Sequence, residues 1–309
     1  MYIVTRNILR KVLVRSGGVN KALQLSHRGA NVTTIGRHGC RSSILAIGNG
    51  HFDVSRAFTS TADLNAILQA ASYSGNLKAA NAMLTHDGVD VNAQNKKGFT
   101  ALMVASDSGH LEVVRAFLKH KEVNVNVQTD DGFTALMVAS VKGHLEVVRE
   151  LLSHDGVDAN AQTEDGFTAL TCAYGRGHLE VIHELLKHDG FDANAQNEDG
   201  VTTLQMASTS GHLEVVRALL KYKGVNVNVQ DEIGVTALMM ASVSGHLEVV
   251  RELLNHDGVD VFVKCTNCYT ALDMARMAER AEIARLLEEH IQLKEQTMKA
   301  RLDATTKVK

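Results

Sequence analysis

The sequence predicts an all-α repeat protein, an alpha solenoid of helix-helix-hairpin units with short β-hairpin loops. Three observations carry this prediction. The phrase GFTAL stands at 98–102, 132–136 and 166–170, and returns as GVTTL at 200–204, GVTAL at 234–238 and CYTAL at 268–272, always 34 residues apart. A second phrase, GHLEVV, keeps phase with it at 109–114, 143–148, 211–216 and 245–250, with GHLEVI at 177–182. A period of this length marks a stack of small units, each unable to bury its apolar face alone. The composition agrees. It is 45% hydrophobic but only 4% aromatic, with no Trp and no Pro, as thin helices packed through Ala, Val and Leu require.

One unit, residues 98–131, justifies each element in turn. Thr100 is a helix N-cap candidate, since its hydroxyl can accept from an unpaired amide of the first turn, and Ala101 is a good first helical residue. Leu102, Val104 and Ala105 mark a short first helix, which Ser108-Gly109 breaks. His110 opens a second helix with an apolar face of Leu111, Val113, Val114, Phe117 and Leu118. Glu112 and Arg115, three apart, can pair on the wet side. Val123, Val125 and Val127 then alternate ahead of Asp131-Gly132, which reads as a hairpin.

That order resembles the ankyrin repeat, from about Leu64 to His290. The tetratricopeptide repeat has a similar period but lacks the hairpin, and its signature Trp is missing here. Two departures stand out. Where ankyrin repeats usually read Thr-Pro-Leu-His, this chain reads Thr-Ala-Leu-Met, so the family's Thr–His hydrogen bond is expected to be lost. The loop after the second helix is one residue longer than the commoner form. Gly88, Gly156, Gly190 and Gly258 are expected there as left-handed helix stops, and Glu122, in the equivalent place, is expected to carry strain.

Three segments follow: a leader at 1–57, a repeat domain at 64–290 of about seven units including terminal caps, and a charged helical tail at 291–309. Residues 64–97 form a divergent first unit with Asn76 and Lys78 in place of the usual His and Glu. The last helix pair begins at Ala271, and its second helix runs on through Lys294 and Met298.

The leader shares none of the period. It holds nine lysines and arginines against the single acid Asp53, a formal +8; with a total of −3, the remainder carries −11. Ile8, Leu9, Val12 and Leu13 gather on one side of a helical wheel, with Arg6, Arg10, Lys11 and Arg15 opposite. This resembles a mitochondrial targeting peptide, and Arg56, Phe58 and Thr61 resemble a matrix-processing site. The expected location is therefore mitochondrial. The alternatives are a plastid address, a disordered basic extension or an upstream stretch wrongly included in the gene model, with a cytoplasmic location. No run of about 18 apolar residues suggests a membrane span. Four cysteines are too few for a disulfide scaffold.

The sequence holds no nucleophile–base–acid set, phosphate loop or HExxH. No catalytic residue, cofactor or metal is expected. One histidine ladder (His110, His144, His178, His212, His246) opens the second helices. Another (His86, His120, His154, His188, His256, His290) ends them, where a cation suits the helix dipole. Cys172 falls at a core position. Cys265 and Cys268 form a CxxC at the last hairpin tip, and support the competing reading, a thiol-redox or enzyme-associated protein. A third possibility is the targeting half of an assembly with a separate catalytic subunit.

The preferred reading is a non-catalytic protein–protein interaction module, an adaptor or scaffold, and a monomer. The resemblance implies binding through hairpin tips and the inner face of the first helices. The tip candidates are Lys96 and Lys97, then Asp130 and Asp131, Glu164 and Asp165, Glu198 and Asp199, and Asp231 and Glu232. After one basic tip these form an acidic ribbon, which would attract a protein with a basic surface and repel nucleic acid. The first-helix position reads Met103, Met137, Thr171, Gln205, Met239 and Asp273. Met103, Met137 and Met239 are expected to offer adaptable exposed contacts.

Overall fold

The computed structural model describes residues 61–306; of the side chains, those of 64–299 are described. The chain divides into two compact units, Met1–Ala161 and Gln162–Lys309. The described part of the first holds three helix pairs: α1 Thr61–Ser74 with α2 Leu77–Leu84, α3 Ala101–Asp107 with α4 Leu111–Leu118, and α5 Ala135–Lys142 with α6 Leu145–Leu152. The second holds four: α7 Ala169–Gly175 with α8 Leu179–Leu185, α9 Thr203–Ser210 with α10 Leu213–Leu220, α11 Ala237–Ser244 with α12 Leu247–Leu254, and α13 Ala271–Met277 with α14 Ala281–Thr306. In each unit the first helices stack in one layer and the second helices in another. The leader and its candidate processing residues Arg56 and Phe58 lie outside the described residues, and the side chain of Thr61 is not described.

α3, α5, α9 and α11 are buried nearly all round, as short helices flanked on several sides must be. In α5, Ala135 through Ser140 are all buried. The second helices are one-sided: Val113, Val114 and Phe117 of α4 are buried, while Glu112 is exposed. The predicted N-caps form as expected. The Thr100, Thr134, Thr168, Thr202, Thr236 and Thr270 hydroxyls each accept from the amide three residues on. α14 is one continuous helix across residues 290 and 291, so no break separates the last repeat from the tail.

Three expectations are corrected. The alternating valines do not form strands. Among the described residues a single antiparallel bridge, Gln196 with Thr202, interrupts a series of tight turns. Each turn is closed at its neck by a backbone pair such as Thr129 N to Phe133 O at 3.0 Å. Second, Gly88 and Gly190 are left-handed, but Gly156 and Gly258 are not. There the glycine makes room for a ring: a Cβ on Gly156 would stand 3.3 Å from His154. Third, Glu122 carries no left-handed strain, and its amide donates to His120 Nδ1 at 3.3 Å. The same acceptor role falls to His154 Nδ1 from Gly156 N and His256 Nδ1 from Gly258 N, both 3.2 Å. In each case the ring nitrogen faces the backbone amide two residues on, in the loop that follows the helix.

Candidate partner-binding face

Each hairpin tip is a four-residue device. The first residue holds the turn: Thr163 Oγ1 accepts from Phe167 N at 3.0 Å, Asn197 Oδ1 from Val201 N at 2.8 Å, and Asp231 Oδ1 from Val235 N at 2.7 Å. The second and third residues are free to point outward. The fourth is left-handed, with φ 78° at Gly166 and 73° at Gly200. Glycine is needed there twice over, because a Cβ on Gly166 would stand 2.7 Å from Asn197 Cα.

Successive tips within a unit are tied together. In the second unit Gln162 Nε2 donates to Gly166 O at 2.9 Å and to Gln196 O at 3.0 Å. Gln196 Nε2 donates to Gly200 O and to Gln230 O, and Gln230 Nε2 to Gly234 O at 2.7 Å and Lys264 O at 3.0 Å. Backbone bonds run alongside, from Glu198 N to Asp165 O at 3.1 Å and from Thr266 N to Ile233 O at 3.0 Å. In the first unit Gln94 joins Gly98 O and Gln128 O, both at 2.7 Å. A parallel asparagine ladder fixes the loops behind: Asn194 Nδ2 donates to Gly224 O at 2.7 Å while its Oδ1 accepts from Asn226 N at 2.7 Å. Neither ladder was anticipated from the sequence. Its signal was there, since Gln recurs at 94, 128, 162, 196 and 230 and Asn at 92, 126, 160, 194 and 228.

The tip candidates divide by role. Lys96, Lys97, Asp130, Asp131, Glu164, Asp165, Glu198, Asp199 and Glu232 are exposed. Asp231 is half-buried and its carboxylate is engaged inside its own turn, so it serves the scaffold. The methionine surface is overturned: Met103, Met137 and Met239 are each only 1% exposed. They occupy the third helical residue, and at Met103 the side chain folds back under the N-cap. Met103 Sδ accepts from Thr100 N at 3.4 Å. Thr171, Gln205 and Asp273 do the same with oxygen. At Met103, Thr171, Gln205 and Asp273 the N-cap amide thus finds a side-chain partner three residues on.

The second helices carry charge that is already paired. Arg115 meets Glu112 at 2.7 Å and Glu150 at 2.8 Å, and Arg217 meets Glu214 at 2.8 Å and Glu252 at 3.0 Å. Hydrogen bonds to Glu150 and Glu252 lead in raising these two guanidinium pKa values. By contrast, no ion pair engages Glu164, Asp165, Glu198, Asp199 or Glu232 among the described residues.

The first histidine ladder is a structural tie. His144 Nε2 lies 3.0 Å from Asp107 O and His246 Nε2 2.9 Å from Thr209 O, each ring packed over a glycine. Arg280 takes the place in the last pair, donating to Val243 O at 3.2 Å. Cys265 is buried, Cys268 is exposed, and both are free thiols. Cys172 is half-buried in α7, where burial pushes its pKa up to about 11.

A family model described as ankyrin repeats (3 copies) matches residues 67–163, 151–231 and 222–297. The chain therefore belongs to the ankyrin-repeat family. Among solved structures it is similar to the ankyrin repeat domain of Bcl-3, described as a unique member of the IkappaB protein family. The identity is 29% and the TM-score 0.65, over 71% of this chain and 97% of that one. No curated protein matches the chain. Ankyrin repeats are protein–protein interaction modules, and their fold is typically non-catalytic. No helix of the described residues is long and apolar enough to cross a membrane.

Proposed function

We propose that this chain is a non-catalytic adaptor that captures a partner protein with a basic surface through its acidic hairpin tips. One observation carries the reading: the outward carboxylates of the tips are exposed and enter no ion pair among the described residues, while Arg115, Arg149, Arg217 and Arg251 of the second helices are held by glutamate. Unneutralised like charges on a rigid row set up the field that steers an oppositely charged protein. Within each unit the tips are rigid because glutamine side chains lock one to the next. The adaptor works as a monomer, and residues 1–57 direct it to mitochondria. The test is charge reversal. The quadruple change Asp130→Lys, Asp131→Lys, Glu164→Lys and Asp165→Lys is expected to remove the basic proteins captured by the parent chain from mitochondrial extract. An unchanged set of captured proteins would end the proposal.

A further inference from the structure

The acidic row of the second unit does not simply fade at its C-terminal end; it stops at a large apolar side chain. Glu164 and Asp165 occupy one tip, Glu198 and Asp199 the next, and Glu232 the third. The residue after Glu232 is Ile233, 61% exposed on a tip where every earlier repeat carries a charge. Beyond it the last tip bears Thr266 and Asn267, and just after comes Tyr269, 41% exposed. The order along the row is fixed by contacts already given. Glu198 N bonds Asp165 O, Gly200 would meet Glu232 N at 3.0 Å had it a Cβ, and Thr266 N bonds Ile233 O. Five carboxylates thus lead to one apolar step, followed by uncharged residues.

A lone exposed isoleucine has an ordinary explanation. Here it sits at the end of a like-charged row, on a turn whose Asp231 carboxylate accepts from Ile233 N at 3.1 Å and holds it in place. Packed helices lie about 8–10 Å apart, so three tips span about 20 Å. An extended segment covers that distance with roughly six residues at about 3.3–3.6 Å each.

We propose, resting on the reading of the tips as a basic-protein site, that the occupant is an extended basic segment of a partner protein. It is about six residues long and is followed at one end by a large aliphatic or aromatic residue that packs on Ile233 and Tyr269. The charges select and orient the segment, and the apolar residue fixes its register. Complementary charge argues for this occupant, since the row offers no cation to an acidic partner.

The probe is a set of synthetic peptides of six alternating arginines and lysines. One ends in leucine-phenylalanine, one begins with it, and one carries two alanines instead. Each is titrated calorimetrically into the full chain at low salt. One of the two anchored peptides is expected to bind about tenfold tighter than the alanine peptide, as burial of an aliphatic side chain implies. Ile233→Ser, at an exposed position, should erase that tenfold and leave the alanine peptide unchanged. Glu198→Lys with Asp199→Lys should weaken all three. If the basic peptides bind alike, or Ile233→Ser changes nothing, the anchored-segment proposal is wrong while the basic-partner reading stands. If none binds, the reading beneath it fails as well. A dimer in sedimentation that Ile233→Ser dissociates would assign the row to a second copy of this chain and overturn the proposal.

Discussion

The Gln205 amide reaches from the first turn of α9 to the hairpin that follows, where its Nε2 donates to the Val235 carbonyl at 2.7 Å. The same nitrogen meets Val229 O at 3.2 Å, and its Oε1 accepts from Thr202 N at 2.7 Å. One side chain, 1% exposed, therefore caps its own helix and fastens the next loop. Gln205→Ala is expected to cost about 2–4 kcal/mol, since buried partners are orphaned and a cavity opens. Gln205→Met should cost less, because Met239 fills the equivalent place with a buried thioether. Urea unfolding of both variants checks this. Equal losses would deny the amide its role in tying the loop.

Cys268 and Glu279 are the non-glycine residues with left-handed backbone among those described, at φ 64° and 57°. Each stands where earlier repeats carry glycine, Gly234 and Gly245. The left-handed conformation costs an L-residue roughly 1–2 kcal/mol, and glycine gives back part of that through its freer unfolded chain. Cys268→Gly and Glu279→Gly are each expected to stabilise by about 0.5–1 kcal/mol. Their denaturant midpoints should rise; a fall in both would show that the native side chains make contacts outweighing the strain.

What could be read from the sequence were the features that depend on near neighbours. Thr100 caps, Glu112 pairs with Arg115 at 2.7 Å, and α3 ends just before Ser108-Gly109 as predicted. What escaped depends on a side chain folding back on its own cap or on the copy stacked 34 residues away. Met103 looks free on a wheel drawn for α3 alone, yet it is buried beneath its own N-cap. Gln196 looks like a polar loop residue, yet it spans two turns. The tips fell between these cases. Their exposed acids were legible as a pattern, whereas only the internal hydrogen bonds separate Asp231, which holds its turn, from Glu232, which faces outward.

Asp273 gives the last helix pair a pH dependence. Its Oδ2 accepts from Thr270 N at 2.9 Å and from Thr270 Oγ1 at 2.7 Å. The backbone bond, then the hydroxyl, holds this carboxyl below its ordinary value. A depressed carboxylate contributes stability above its unfolded value, near 4, and loses it as pH falls through the folded one. Asp273→Asn should therefore be less stable than the parent at pH 7, and the gap should narrow below about pH 4. Denaturant midpoints of the two chains at pH 7, 4 and 3 test the sign. A gap that stays constant would remove the charge from the cap.

The cysteines should separate by reactivity. Cys268 is exposed, Cys265 is buried, and Cys172, pushed up to about 11, stays protonated near neutral pH. Since the thiolate is the nucleophile, iodoacetamide at pH 8 is expected to label Cys268 first and to spare Cys172 until the chain unfolds. Peptide mapping by mass spectrometry reads the order. Fast labelling of both Cys265 and Cys268, with a disulfide forming between them in a glutathione buffer, would favour the thiol-exchange reading over the adaptor.

Residues 1–57 carry a formal +8 with a single acid, and a helical wheel drawn on the sequence sets Ile8, Leu9, Val12 and Leu13 opposite Arg6, Arg10, Lys11 and Arg15. Import machinery reads that combination of apolar side and positive charge. A fluorescent protein fused behind residues 1–60 is expected to collect in mitochondria. Reversing Arg6, Arg10, Lys11 and Arg15 to glutamate should leave it diffuse, because the apolar side survives and only the charge is inverted. Protein sequencing of the imported full chain should begin at or shortly after Phe58; an imported chain that keeps Met1 would dismiss the processing site built on Arg56, Phe58 and Thr61. If the unaltered fusion spreads through the cytosol, the mitochondrial assignment falls.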